Sequence, residues 1–528
     1  MGQMLGVSLD CSRNGVLKVE QVKWYAKILK EMGYNALFLY LEDTYEIPSQ
    51  PYFGHLRGRY SKDELKEIDR YCVEIGVEFS VQIQTLAHLE QMFKWYTEYY
   101  DVNDCGNILL IGEEKTYELI EDMISTIAEC ITSKKINIGM DEAFTLGAGK
   151  YYQQHGPYDR LKIMQQHLDR VCKITRKYGL EPIVAGDMFC KLAYNIGNQY
   201  EEVDISKAKK VTGIPEDVSL IYWDYYSDDY DHYVREIKKN QIFERELYFM
   251  GGAWTWNGLS PANEMSMKRT KAAAQACIDC GIDKIIMTIW GDDGSECPAH
   301  TVLPTLMYTA EILKGNHDLD DIKAKFKKIV GCDFDSLMLL DKFDQPGGNL
   351  KGNPSKYLLY NDLFMGIRDS RISKGDNQRY KELAEKARAV KEKESVFKET
   401  FESYEKLANV LSVKTELGIR TREAYLARDM ETLKALLKDY DVYMKKLQEF
   451  HKAFQSMWFK YNKPHGFDVQ DMRLGGLMQR AISCKDRLIA LINGEITEIA
   501  ELDEPVLEKA NGLYFWDRII TPNAVIYP

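Results

Sequence analysis

No stretch of the 528-residue sequence supplies the run of about 20 apolar residues that a membrane-spanning helix needs, so a bilayer-embedded protein is not expected. Basic charge is in deficit: 69 Lys and Arg stand against 81 Asp and Glu, a formal net charge of −12. That balance argues against a nucleic-acid partner, which is usually met by clustered positive charge, and leaves a neutral ligand compatible. The opening Met1-Gly2-Gln3-Met4-Leu5 lacks the basic-then-apolar order of an export signal, so a cytoplasmic location is expected. Paired cysteines are scarce as well. Among 11 cysteines, Cys277 and Cys280 form a CxxC without a second pair to match it, and Gly281 closes the segment as a helix end. Neither a metal nor a cofactor is called for, and buried thiols in a reducing compartment are the expectation.

What is present reads as folded throughout, since 45% hydrophobic and 28% charged residues are ordinary for a globular chain and far from a disordered composition. The first three-fifths alternate short apolar runs with amphipathic stretches. The runs are Leu5–Leu9, Ala36–Leu41, Glu78–Ile83, Ile136–Met140, Pro182–Ala185, Val218–Trp223, Leu247–Gly251 and Lys284–Ile289. Between them, Val19, Val22, Ala26, Leu29 and Met32 illustrate the three- and four-residue steps of a helix with one apolar stripe. Ser61 and Glu64 stand at capping-box spacing. Eight such units predict an α/β fold, a (β/α)₈ TIM barrel over residues 1–340, in preference to an open doubly wound sheet, because no GxGxxG turn follows the first run. Gln345-Pro346-Gly347-Gly348-Asn349 and Gly352-Asn353-Pro354 predict a linker over 341–354. Residues 355–528 then read as a mainly α-helical C-terminal domain that is a candidate homodimer contact, with charge runs such as Lys391–Glu394 on solvated faces and an extended tail over Ile520–Pro528.

Polar residues gather just past the predicted strands: Asp10 and Arg13, Glu42 and Asp43, Gln84 and His88, Asp141 and Glu142, Asp187, Asp224, Trp254, and Trp290 with Asp292. In a barrel these positions share the C-terminal rim, where active sites are built. The strand Asn137-Ile138-Gly139-Met140 delivers the adjacent carboxylates Asp141 and Glu142 to that rim, where burial and mutual repulsion would raise the pKa of one of them. Two solvated acids opening a loop are the plainer alternative. Four of the 8 tryptophans, Trp223, Trp254, Trp256 and Trp290, fall at or just after strands six to eight, which suggests apolar walls for a compact ligand such as a pyranose.

These features, in this order, resemble glycoside hydrolase family 20, the β-N-acetylhexosaminidases, over residues 1 to about 315. Leu9-Asp10-Cys11-Ser12-Arg13 looks like the segment whose arginine grips hydroxyls of the terminal sugar. Leu41-Glu42-Asp43, His88, Asp141-Glu142 and Trp290-Gly291-Asp292 resemble the motifs after strands two, three, four and eight. Met140 stands where a second glycine is usual, Leu86-Ala87 replaces Pro-Gly, Asp292 stands for a glutamate, and no small α/β domain precedes the barrel, which points to a divergent, barrel-first branch.

The resemblance implies exo-acting removal of terminal β-linked N-acetylglucosamine or N-acetylgalactosamine by substrate-assisted retention through an oxazolinium intermediate. It implies Glu142 as acid and base, Asp141 as the carboxylate that holds the acetamido N–H, and Arg13 on the terminal hydroxyls, a surface salt bridge being the competing reading for Arg13. Asp43 and His88 are expected as a buried pair that tunes Glu142. Trp223, Trp254 and Trp290 are expected to enclose the sugar, Tyr225 or Tyr226 to bond the acetamide oxygen, and Asp187, Asp224 and Asp292 to contact substrate. An O-linked N-acetylglucosaminidase-like barrel is the nearest alternative, although Asp141-Glu142 stands here where that group favours an Asp-Asp pair. A catalytically silent sugar-binding protein is the alternative from another class.

Overall fold

In the computed structural model, which describes residues 3–207, 213–345 and 352–506, the eight apolar runs become eight parallel strands. They are β1 (Met4–Asp10), β2 (Ala36–Tyr40), β3 (Glu78–Gln82), β4 (Lys135–Asn137), β5 (Glu181–Ala185), β6 (Ser219–Trp223), β7 (Leu247–Gly252) and β8 (Lys284–Ile289). The sheet closes into a barrel where β1 pairs with β8, Met4 opposite Lys284 through Leu9 opposite Ile289. Each expected strand is found. The largest difference is β4, which stops at Asn137, three residues short of the expected Met140.

Side chains alternate along a strand, and here the two sets meet different partners. Outward residues such as Val7, Leu39, Val81, Ile136, Leu220 and Phe249 join the main core formed with the surrounding helices. Inward residues, among them Phe38, Ile183, Ile221, Tyr248, Met250 and Ile286, pack as a separate cluster that fills the barrel. Above that plug the inward register continues with polar side chains: Asp10 lies opposite Tyr40, Tyr40 opposite Gln82, and Gln82 opposite Asn137. The barrel therefore closes below with hydrocarbon and opens above with hydrogen-bonding groups.

The connecting helices follow the expected chemistry. At Lys62–Glu74 the capping box is complete, the Glu64 N–H donating to Ser61 Oγ at 3.1 Å while the Ser61 N–H donates to the Glu64 carboxylate at 2.8 Å. One element was not anticipated, a small antiparallel hairpin (Asn103–Cys105 with Ile108–Leu109) in the connection from β3 to β4. The cysteines are all free thiols, and most are buried. No helix among the described residues is long and apolar enough to cross a membrane.

Four long helices dominate the C-terminal part: α1 (Asp376–Lys393), α2 (Lys398–Leu426), α3 (Met430–Tyr461) and α4 (Phe467–Ile492). Links of a few residues make consecutive helices neighbours. They lean on the barrel's C-terminal rim. Lys463 N–H donates to Val16 O at 2.7 Å, and the His300 ring stacks on Phe397 at 4.5 Å. The expectation of a wholly solvated Lys391–Glu394 face is corrected here: Glu394 is buried and accepts the Ser336 hydroxyl at 2.6 Å, because α1 ends against the short helix Phe334–Met338. Residues 346–351 of the expected linker and the expected tail Ile520–Pro528 lie outside the described residues.

Candidate active site

An open cleft occupies the C-terminal mouth of the barrel. Its acidic side is made by the turn that follows β4. Gly139, Met140 and Glu142 all have positive φ (69°, 74° and 53°), a conformation that costs a non-glycine residue about 1 kcal/mol or more and needs support from its surroundings. Gln84 supplies it. Its Oε1 accepts the Met140 N–H at 3.2 Å, while its Nε2 donates to Asp141 Oδ1 at 2.8 Å and to the Tyr40 hydroxyl at 2.9 Å. From below, Asn137 Oδ1 accepts the Gly139 N–H at 2.9 Å, and from behind, Asp187 accepts the Glu142 N–H at 3.1 Å.

His88 faces this pair, with Nε2 3.2 Å from Asp141 Oδ2 and 3.5 Å from Glu142 Oε2. Burial pulls the imidazole towards neutrality, but the Asp141 charge overrides it and carries the pKa up to about 10. Burial likewise opposes the Asp141 charge, yet His88 and the Gln84 amide hold that carboxyl down at about 2. The His88 contribution to stability is complete below its ordinary value of 6.5 and is lost as pH rises through about 10. The Asp141 contribution is complete above 3.8 and is lost as pH falls through about 2, so the pair stays charged across the neutral range.

At the closed end, the Arg13 guanidinium lies 3.0 Å from Asp10, 3.4 Å from Glu42 and 3.7 Å from Asp292. Its Cζ sits 4.5 Å from the Tyr40 ring centre and 4.9 Å from that of Trp290. Glu42 is buried, and desolvation pushes its pKa up to about 7 even though Arg13 and His88 draw it down. The third side is aromatic: Trp223 stacks on Tyr225 at 5.7 Å and Tyr225 meets Trp256 edge-on at 5.3 Å. Trp290 Nε1–H donates to the Tyr225 hydroxyl oxygen at 3.1 Å, leaving the phenol proton for another acceptor. At the floor, Gln82 Nε2 and Trp223 Nε1 are buried donors without a partner among the described residues. Such groups are stabilised when a ligand oxygen arrives.

Arg13, His88, Asp141, Glu142, Trp223, Tyr225, Trp290 and Asp292 all line the cleft. Four expected residues stand behind it. Asp43 is not the partner of His88: it is fully buried against Arg57 at 2.7 Å, and Arg57 in turn holds the Ser12 carbonyl. Asp224 is taken up by the Tyr222 hydroxyl at 2.7 Å and His232 at 2.6 Å. Trp254 packs under Trp256, which lines the cleft in its place, at 4.2 Å. Asp187 supports Glu142 as described, and burial with the nearby Asp141 charge raises its pKa to about 7.

The strand period explains two of these placements. Glu42 is in phase with inward Tyr40 and Tyr225 with inward Trp223, whereas Asp43 and Asp224 are one residue out of phase. The same period identifies Tyr40, Gln82 and Asn137, which reading the rim loops alone left out because they lie within the strands.

Residues 5–244 match the family model for the glycosyl hydrolase family 20 catalytic domain, and residues 335–512 match that for the glycoside hydrolase 20C C-terminal domain. Hexosaminidase D of Bos taurus is 25% identical over 242 residues, 43% of this chain and 63% of that protein. Hexosaminidase D of Homo sapiens is 25% identical over 240 residues, 43% of this chain and 46% of that protein. The chain thus covers less than two thirds of either relative's length. Among solved structures, a β-N-acetylhexosaminidase from Bacteroides fragilis aligns with a TM-score of 0.47 at 17% identity, over 62% of this chain and 70% of that one.

Gly139 gives this geometry a direct check. A Cβ there would lie 2.5 Å from Gln84 Cδ and 2.9 Å from Ile83 O, on a backbone with φ of 69°. Gly139→Ala is expected to displace Gln84 and cost about 1–3 kcal/mol, read as a lower Tm; an unchanged Tm would contradict the role given to Gln84.

Proposed function

Because the chain belongs to glycoside hydrolase family 20, we propose that it is an exo-acting β-N-acetylhexosaminidase that cleaves by substrate-assisted retention. The observation that carries the proposal is the neighbouring Asp141 and Glu142 at the cleft, with Asp141 held charged by His88 and Gln84. The substrate's 2-acetamido oxygen attacks the anomeric carbon as the glycosidic bond breaks, and Glu142 gives its proton to the departing oxygen. The resulting oxazolinium ion carries positive charge beside Asp141, which accepts the acetamido N–H and is already placed for that charge. The Tyr225 phenol, its oxygen occupied by Trp290, donates to the acetamide oxygen. Glu142 then takes a proton from the water that opens the ring. Arg13 and Asp292 hold hydroxyls at the closed end, and Trp223, Trp256 and Trp290 enclose the sugar. Free thiols throughout fit a cytoplasmic site of action.

Glu142→Gln is expected to lower kcat on an unactivated N-acetylglucosamine disaccharide by about 10²–10⁴-fold. Asp141→Asn should lower it by about 10²–10³-fold. Near-normal turnover in either variant would remove the catalytic assignment, and absence of hydrolysis by the natural chain would favour a silent sugar-binding protein.

The nucleophile belongs to the substrate in this mechanism. A nitrophenyl β-glucoside, lacking the acetamido group, is expected to be nearly inert where the N-acetylglucosaminide is cleaved, because an intramolecular nucleophile supplies an effective molarity of about 10⁵ M or more. Comparable kcat/KM on the two, or a covalent glycosyl-enzyme adduct by mass spectrometry, would exclude it.

A further inference from the structure

Asp292 and Trp290 ride on the loop after β8, and that loop has an unusual backbone. Asp293, Gly294 and Ser295 are three consecutive residues at positive φ (63°, 118° and 51°), and two of them carry side chains. A left-handed run of this kind persists only where the surroundings over-determine it. Within the loop, the Ser295 N–H donates to Gly291 O at 2.8 Å and the Ser295 hydroxyl to Arg13 O at 2.9 Å. The remaining restraint comes largely from the C-terminal helices.

Arg473, in the second turn of α4, donates to the Asp293 carbonyl at 3.1 Å and pairs with the Asp293 carboxylate at 2.9 Å and with Glu296 at 2.5 Å. Lys356, from the short helix Pro354–Tyr360, is fully buried, with its ammonium between Asp293 and Glu296, 2.6 Å from the latter. Two cations from the helical part thus close on two anions of the loop. Gln470, one turn before Arg473, donates to Gly294 O at 3.4 Å. Gly466, which precedes the first turn of the same helix, braces the other sugar-side loop: Asn14, next to Arg13, donates to Gly466 O at 2.8 Å and to Gly294 O at 3.3 Å.

Buried ion networks are poor stabilisers compared with apolar packing, because desolvation offsets most of their attraction; their better-attested use is to fix one arrangement among several. We propose that the helical part of the chain positions the closed end of the cleft. In this account Lys356 and Arg473 are positioning residues that set Asp292, and with it the hydroxyl-binding pair Arg13–Asp292, by clamping Asp293 and Glu296. The proposal rests on the reading of the cleft as a site for a terminal N-acetylhexosamine. It assigns to the C-terminal helices a part in sugar affinity beyond support of the fold.

The test uses the full chain with Arg473→Lys, which keeps the charge but loses the two-pronged contact, and Glu296→Gln, which keeps the shape but loses the charge. Each is expected to raise KM for nitrophenyl N-acetyl-β-D-glucosaminide by about tenfold while kcat changes much less. A merely structural defect lowers the active fraction, and hence the apparent kcat, without moving KM. In an Asp292→Ala background the same substitutions should shift KM little further, because the clamp acts through Asp292. Hydrogen exchange over residues 290–296 should quicken by about tenfold in both variants, with β1 to β3 unchanged. Exchange reports the loop even if no glycoside is cleaved, an outcome that would count against the proposed function and leave the clamp to be judged by exchange. Unchanged exchange in both variants, or quickened exchange with unchanged KM in a chain that cleaves the glycoside, would overturn the clamp's role.

Discussion

The carboxamide of Gln84 is where strand geometry and chemistry meet. β4 stops early, and the chain that leaves it passes through positive φ at Gly139, Met140 and Glu142, so hydrogen bonds from neighbouring strands must fix the turn. Gln84 touches the Met140 amide, the Asp141 carboxylate and Tyr40 at once. Without it the backbone after β4 would have less strained alternatives, and Asp141 would lose its alignment with His88. The absence of a side chain at Gly139 is what leaves room for this amide.

Around that turn the cleft concentrates carboxylates: Asp10, Glu42, Asp141, Glu142 and Asp292, countered by Arg13 and His88. Desolvation resists so many charges, which shows in Glu42 and Asp187 being pushed up to about 7. A site of this kind favours a reaction in which positive charge develops, since fixed anions stabilise it without the reorganisation that water would require. In the proposed function, the aromatic wall of Trp223, Tyr225 and Trp256 complements it by excluding water from the apolar faces of the sugar.

Much of this was legible in the residues. Apolar runs at barrel spacing located every strand, and Asp141, Glu142, Arg13, His88, Trp223 and Trp290 lie at the rim where the cleft opens. The errors have a common cause. Asp43, Asp224 and Trp254 all stand near strand ends in the sequence, but phase along the strand, for Asp43 and Asp224, and the neighbour that claims each side chain decide where it goes. Arg57 claims Asp43, and His232 with Tyr222 claims Asp224. Tyr40, Gln82 and Asn137 resemble core positions in sequence, and only closure of the sheet shows that their layer faces the mouth. The clamp on the β8 loop joins residues 60 to 180 positions apart along helices whose charges look like solvated faces, and no local pattern predicts it.

In the proposed mechanism Asp141 is held charged to grip the substrate's own nucleophile. A crystal structure with N-acetylglucosamine-thiazoline, a stable mimic of the cyclised intermediate, tests it most directly. The account predicts the thiazoline nitrogen within about 3 Å of the Asp141 carboxylate, the ring enclosed by Trp223, Trp256 and Trp290, and the distal hydroxyls on Arg13 and Asp292. A sugar bound with its 2-substituent turned away from Asp141, or seated outside this cleft, would contradict it.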